Sequence, residues 1–228
     1  MRRLARALPG SRAAWATLRR HLPEAWLRRD RFERHYVTNY WNSDESQSGR
    51  GSSLSQTAAI RDELPRLCQR LGVASLLDVP CGDVHWISQI DLPGVCYRGL
   101  DIVPALIAGN RARFAGSGRD FQVLDVVARV PPQADLILCR DLLVHLPLRD
   151  ALMALRNFRR SGSTWLLTTT FIAREINTEL AGDWRPLNLL LPPFSLPPPA
   201  ALITEFCTEE DGCYSDKSLG LWRLADLP

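Results

Sequence analysis

The short apolar run Leu76-Leu77-Asp78-Val79, closed by Pro80-Cys81-Gly82 and followed by Asp83, constrains the fold more than any other stretch. An apolar run ending on an acid, then a small-residue turn, then a capping residue, reads as a buried strand, a loop and a helix start. In open α/β sheets, ligands sit outside the carboxyl end of such a strand. The same unit recurs along the chain. Strands are predicted at Val95–Ile102, Phe121–Val126, Asp135–Arg140 and Trp165–Thr170. Helices are predicted at Gln56–Leu71, Val84–Ile90, Pro104–Phe114 and Leu148–Arg159, and Gly72 is a natural stop for the first. Alternation of this kind makes an α/β, Rossmann-like, mostly parallel sheet with helices on both faces and right-handed crossovers. Ala201–Cys207 and Ser218–Leu224 break the alternation and read as an antiparallel hairpin at one sheet edge. The proline- and leucine-rich stretch 177–199 is too long for an ordinary connection; a helix and an extended cover over the cleft are expected there.

Charge divides the 228 residues unevenly. Up to residue 34 there are ten arginines against Glu24, Asp30 and Glu33, yet the whole chain carries only +3. The body is therefore net negative, which argues against a nucleic-acid surface. Residues 1–38 form a basic arm and residues 39–228 the domain. The arm suits an anionic membrane surface or a partner, or a helix whose arginine stems cover its own domain. Phosphate clamping on RNA is the alternative that the acidic body disfavours. Six cysteines without metal or disulfide spacing favour a reduced, cytosolic compartment, with membrane-peripheral contact through the arm as a variant. No metal site, signal peptide or transmembrane segment is expected.

Asp101 ends the second strand 23 residues after Asp78. An acid at that distance can accept hydrogen bonds from ribose hydroxyls. The Gly-x-Gly-x-x-Gly pattern is absent, and Gly82 is the loop's one glycine. That counts against a pyrophosphate-bearing dinucleotide and for a cofactor with a ribose and no phosphate, a description that S-adenosylmethionine fits. The run Ser48-Gly49-Arg50-Gly51-Ser52-Ser53 is a loop able to expose backbone N–H groups, or a linker. Asp83 as helix cap, Asp125 as turn residue and Cys81 and Cys139 as packing residues are the non-functional alternatives.

These residues resemble class I S-adenosylmethionine-dependent methyltransferases. The resemblance rests on Leu76 to Asp83, Gly99-Leu100-Asp101-Ile102, Leu124-Asp125-Val126, and Asp135 to Asp141 with its Leu142-Leu143-Val144-His145-Leu146 tail. A closer resemblance is to an uncharacterised bacterial-type subfamily, through Trp41 to Ser52, Gly182 to Leu189 and Tyr214 to Trp222. Together these cover roughly residues 39–224. Asp83-Val84 departs from the Gly-x-Gly common in the first loop. The resemblance implies seven strands, the last antiparallel. It implies that Asp78 and the backbone of Pro80, Cys81, Gly82 and Asp83 meet the methionine moiety, Asp101 with Ile102 the ribose, and Asp125 with Val126 the adenine. It places Cys139 at the methyl-transfer end.

Arg140, Asp141 and His145 follow the fourth strand, where an acceptor must enter. Asp141 or His145 is the candidate base and Arg140 the candidate anchor for an anionic acceptor; a local ion pair and a backbone-bonded histidine are the structural alternatives. Trp41, Trp184, Arg185 and Asn188 are candidate acceptor-binding residues, with cover for the sheet edge as their plain role. The expected activity is O-methylation of a small or glycan-type acceptor. An RNA methyltransferase and a non-enzymatic binding protein on the same scaffold are the alternatives.

Overall fold

The computed structural model describes residues 24–116 and 118–228. Residues 1–23, most of the basic arm, lie outside the described residues.

The chain opens on α1 (Glu24–Thr38) and α2 (Ala58–Leu71), then enters the sheet at β1 (Ser75–Asp78). It continues through β2 (Cys96–Asp101), α3 (Pro104–Phe114), β3 (Arg119–Val123), β4 (Leu136–Cys139), α4 (Leu148–Arg160) and β5 (Trp165–Phe171). It closes with β6 (Ala201–Thr204) and β7 (Lys217–Arg223). The seven strands lie in the order β3-β2-β1-β4-β5-β7-β6. The first five are parallel, and β7 runs antiparallel to both β5 and β6. The fold is thus the Rossmann-like α/β sheet expected from the alternation, with its antiparallel hairpin at the edge.

Successive strand residues face opposite sides of the sheet. Leu77, Ile137 and Leu166 therefore pack on one face with Ala151, Ala154, Leu155 and Phe158 of α4. Leu76, Leu136, Leu138 and Leu167 pack on the other with Ile60, Leu64 and Leu67 of α2 and Leu106 and Ile107 of α3. The strands are continuous apolar runs because both faces are covered. Gly72 ends α2 in the left-handed conformation (φ 63°), its N–H reaching the carbonyls of Cys68 and Gln69.

Several elements differ from expectation. Val84–Ile90 is not a helix; only the single turn Ile87–Gln89 is wound, and Val84 itself is left-handed (φ 58°). The Asp83 carboxylate accepts from the Ser46 and Ser48 hydroxyls and the Gln47 N–H. It is committed to the loop of residues 43–53, the serine loop, with only a 3.3 Å bond to His85 N–H in its own direction. The 177–199 stretch contains no helix. Its prolines remove donors, and side chains replace the ladder: Asn177 Nδ2 donates to the carbonyls of Asn188 and Pro192, while Asn177 Oδ1 accepts from Asn188 N–H. β3 stops at Val123, so Asp125 lies in a turn closed by Ala128 and Arg129 N–H on its carbonyl. β6 stops at Thr204, two residues before Phe206, which is left-handed (φ 54°).

Among the described residues, part of the arm is an integral helix. Arg28 of α1 is buried between Asp125 and Asp150, and Arg31 Nη2 donates to the His145 carbonyl at 2.7 Å. Its arginine stems cover the domain's own surface. No described helix is long and apolar enough to cross a membrane.

Candidate active site

The strand order reverses about β1, with β2 on one side and β4 on the other. The carboxyl ends of these strands open on a cavity of about 450 Å³, where the switch-point rule places a ligand. Its floor comes from Asp78, Val79, Pro80, Cys81, Gly82 and Asp83 after β1, and from Asp101, Ile102 and Val103 after β2. Leu124, Asp125 and Val126 follow β3, and Arg140 and Asp141 follow β4. α1, the serine loop and the stretch before β7 form the roof.

At the β1–β2 end, burial pushes the Asp78 carboxyl up to about 7, although the Tyr97 hydroxyl, donating at 2.6 Å, partly counters it. Asp101 is pushed up to about 6, again by burial, partly offset by backbone donors. Val103 N–H reaches its Oδ1 at 3.0 Å and Gly82 N–H its Oδ2 at 3.3 Å. These two bonds fix the carboxylate at the mouth of the β1 turn. Asn110 Nδ2 holds the turn from the other side through the Gly82 carbonyl at 2.7 Å. Gly82 is left-handed, and a Cβ there would fall 2.2 Å from Ser48 Oγ. The turn and the serine loop can approach this closely only with glycine at that position.

Asp125 lines the cavity, but Arg28 engages both of its oxygens, with Nε at 3.3 and 3.2 Å and Nη2 at 3.1 Å. Cys81 lines the cavity with a thiol held up by burial, so it packs rather than reacts.

The opposite end is a buried charge network. Arg140 Nη2 donates to Glu205 Oε2 at 2.6 Å and to the Gly51 carbonyl at 2.8 Å, and Nη1 lies 3.3 Å from Asp141 Oδ2. Lys217 Nζ lies 2.6 Å from Asp141 Oδ2 and 3.4 Å from Glu205 Oε2. Burial alone would raise the Asp141 carboxyl, but Lys217 and Arg140 hold it well below the usual carboxylate range. Lys217 reaches this edge because β7 is antiparallel: its first residue stands opposite Phe171, the last of β5. Arg140 is thus occupied by internal partners instead of facing an anionic acceptor.

His145 lies at the end of the turn Leu143–His145. Its Nδ1 meets the Asp183 carbonyl at 2.5 Å. A carbonyl only accepts, so Nδ1 carries the proton and Nε2 is left as the acceptor. Burial lowers this histidine to about 4, against the pull of the Asp183 carbonyl and Asp141, so it is neutral near pH 7. Trp41 packs on its ring at 4.8 Å. Across the cavity, Trp184 stacks edge-on against Tyr214 at 4.8 Å and Phe171 at 5.7 Å.

Three expected site residues lie elsewhere. Cys139 is fully buried, its side chain turned into the face that α4 covers, and its thiol is pushed by burial up to about 12. It does not line the cavity. Arg185 is spent on the carbonyls of Thr178, Leu143 and Val144. Asn188 is spent on Ile172, Arg174 and Leu190. Both knit the 177–199 cover and neither reaches the cavity. In their place the structure brings Arg28, Phe32, Tyr36, Gly51, Glu209 and Lys217 to the wall. Lys217 was visible in the Tyr214–Trp222 motif. Nothing in sequence separated Arg28 from nine other arginines in the arm.

The cationic side chains around the cavity are internally engaged. Arg28 pairs with Asp125 and Asp150, and Arg140 and Lys217 with Asp141 and Glu205. Arg50 Nε bonds the Asn42 carbonyl. Arg28 and Arg140 are thus taken up by carboxylates, while Asp101 and the apolar Ile102, Leu124 and Val126 border the same cavity. No group of three or more His, Cys, Asp or Glu among the described residues is placed to hold a metal ion.

No protein-family model matches the chain, and no curated protein matches it. Among solved structures, it is similar to magnesium protoporphyrin IX methyltransferase (ChlM) from Synechocystis PCC 6803 with bound SAM. The identity is 14%, over 70% of this chain and 82% of that one, with a TM-score of 0.49. It is similar to N-methyltransferase NodS from Bradyrhizobium japonicum WM9 in complex with S-adenosyl-L-homocysteine, at 18% identity over 60% and 73% of the chains, TM-score 0.49. A third likeness is to an exported-protein candidate from Bordetella parapertussis, at 20% identity over 50% of this chain, TM-score 0.41. The match spans only 43% of that protein.

Proposed function

We propose that this chain is an S-adenosylmethionine-dependent methyltransferase acting on a hydroxyl of a small or glycan-type acceptor. The observation that carries the reading is Asp101. Its carboxylate ends β2 at the cavity, pinned by Gly82 and Val103 N–H, where two ribose hydroxyls would donate to it. Pro80 to Asp83 would border the methionine moiety and Ile102 the ribose. Leu124, Asp125 and Val126 would form the adenine wall, with Arg28 fixing Asp125 from above. Asp78, at the end of β1, is held by the Tyr97 hydroxyl.

The bound cofactor supplies an electrophilic methyl group on a sulfonium. The protein then has to align the acceptor, exclude water and take up a proton. His145 is the assigned base: its tautomer leaves Nε2 able to accept the hydroxyl proton, and Asp141 offsets part of the burial that disfavours the charge it gains. Asp141 itself, held ionised by Lys217 and Arg140, is a poor proton acceptor. Trp41 and Trp184 would present aromatic faces to the acceptor.

His145→Gln tests the assignment. Release of S-adenosylhomocysteine in the presence of glycan, lipid and small-molecule pools should fall by about 100-fold, within the usual range for a general base. Cofactor affinity should stay within a factor of about three. No S-adenosylhomocysteine release from the unaltered protein across all pools would sink the enzymatic reading and leave a binding protein.

A further inference from the structure

Residues 47–52 of the serine loop border the cavity without a break. The loop is fastened to the β1 turn: the Asp83 carboxylate accepts from the Ser46 and Ser48 hydroxyls and the Gln47 N–H, and Asp83 N–H donates to Ser48 Oγ at 3.0 Å. Arg50 stands two residues beyond Ser48, exposed and at the cavity. Among the described residues its side chain makes one hydrogen bond, from Nε to the Asn42 carbonyl at 3.3 Å, and no ion pair. Both terminal nitrogens of the guanidinium keep their N–H groups for another partner.

Charge sets this residue apart. Arg28, Arg140 and Lys217 also line the cavity, and each lies within ion-pair distance of two carboxylates. Among the described residues, seven Asp and Glu line the same cavity. A carboxylate carried in by a ligand meets like charge on most sides and needs a cation that is not already neutralised. S-adenosylmethionine carries one on its methionine end. We propose that the Arg50 guanidinium binds the methionine carboxylate of the cofactor. The proposal rests on the methyltransferase reading above and adds an ionic contact from outside the sheet edges. The bonds from Ser46, Gln47 and Ser48 to Asp83 seat the loop against the turn assigned to the methionine moiety, which puts Arg50 at that end of the cavity. A guanidinium presents paired N–H groups in one plane and matches a carboxylate in geometry as well as charge. The surrounding acids suit the ammonium and the sulfonium of the same ligand.

The test is a calorimetric titration of the full chain with three ligands. They are S-adenosylmethionine, its decarboxylated form, and methylthioadenosine, which lacks the amino-acid portion. Arg50→Gln should weaken S-adenosylmethionine about 10-fold, the low end for a lost bond between charged groups because Arg50 is open to water, and leave the other two ligands within about twofold. Arg50→Lys keeps the charge without the fork and should recover part of the loss. An unchanged S-adenosylmethionine affinity in Arg50→Gln overturns the assignment. An equal loss for all three ligands also overturns it, since Arg50 would then support the loop and not the carboxylate. A variant that binds S-adenosylmethionine as before but transfers its methyl group more slowly would place the anion on the acceptor, and overturns it too. If the unaltered chain binds none of the three ligands, the methyltransferase reading falls as well.

Discussion

Asp101→Ala is expected to weaken S-adenosylmethionine binding by about 100-fold, because two hydrogen bonds to a charged acceptor are worth about 1.5 kcal/mol each. Asp101→Asn keeps the shape and should lose nearly as much, which separates lost chemistry from lost fold. The pH dependence follows from the same carboxylate. Burial raises it to about 6 in the folded chain, above its ordinary value near 4. The folded state therefore holds the proton more tightly than the unfolded one. The resulting stabilisation is complete below about pH 4 and is lost as pH rises through about 6. Asp78 extends the loss to about pH 7. Cofactor affinity should move the opposite way, rising through about pH 6 as Asp101 ionises and accepts from both hydroxyls. Asp101→Asn should abolish that pH dependence. Calorimetric affinities from pH 5 to 8 read both effects. An Asp101→Asn variant within threefold of the parent would remove Asp101 from the site.

The largest loss of stability is expected from Arg140→Met. Arg140 and Glu205 have side chains 4% and 1% exposed and meet at 2.6 Å. Removing the guanidinium leaves Glu205 in the interior with only the more distant Lys217 ammonium. Breaking such a pair costs about 3–5 kcal/mol, most of it the penalty of the stranded charge. Arg140→Met with Glu205→Leu should recover much of that cost, since neither charge then remains buried. Urea unfolding with an unchanged m-value measures both variants. A loss below about 1 kcal/mol in the single variant would contradict the burial of an unpaired charge at Glu205.

The sheet was legible in sequence because its determinants are local. Apolar runs such as Leu136 to Cys139 bury both faces, and Gly72 marks a helix stop that needs no knowledge of the rest of the fold. Asp101 was legible for the same reason: acid type and spacing along one βαβ unit place it at a strand end. What failed depended on distant partners. Asp83 reads as a helix cap until the serine loop, 35 residues earlier, takes its carboxylate. Cys139 reads as cavity-facing, but the strand's alternation turns it into the core. Arg185 and Asn188 have the polarity of ligand-binding groups, and the proline-rich cover uses that polarity to satisfy its own backbone.

The site shows the same division. Its β1, β2 and β4 edges were readable from motifs. Lys217, Glu209 and Gly51 come together only through an antiparallel strand and a loop more than 150 residues apart in sequence. Arg28 reaches Asp125 across 97 residues, so no local pattern announces it.

A calorimetric titration of the full chain with S-adenosylmethionine, with NADH as the control ligand, decides whether the cavity takes a phosphate-free adenosyl cofactor. Saturable one-to-one binding of S-adenosylmethionine and no heat from NADH is the predicted result. A folded protein that binds neither, or that binds NADH in its place, would contradict the assignment of Asp101 and the β1 turn to a phosphate-free adenosyl cofactor.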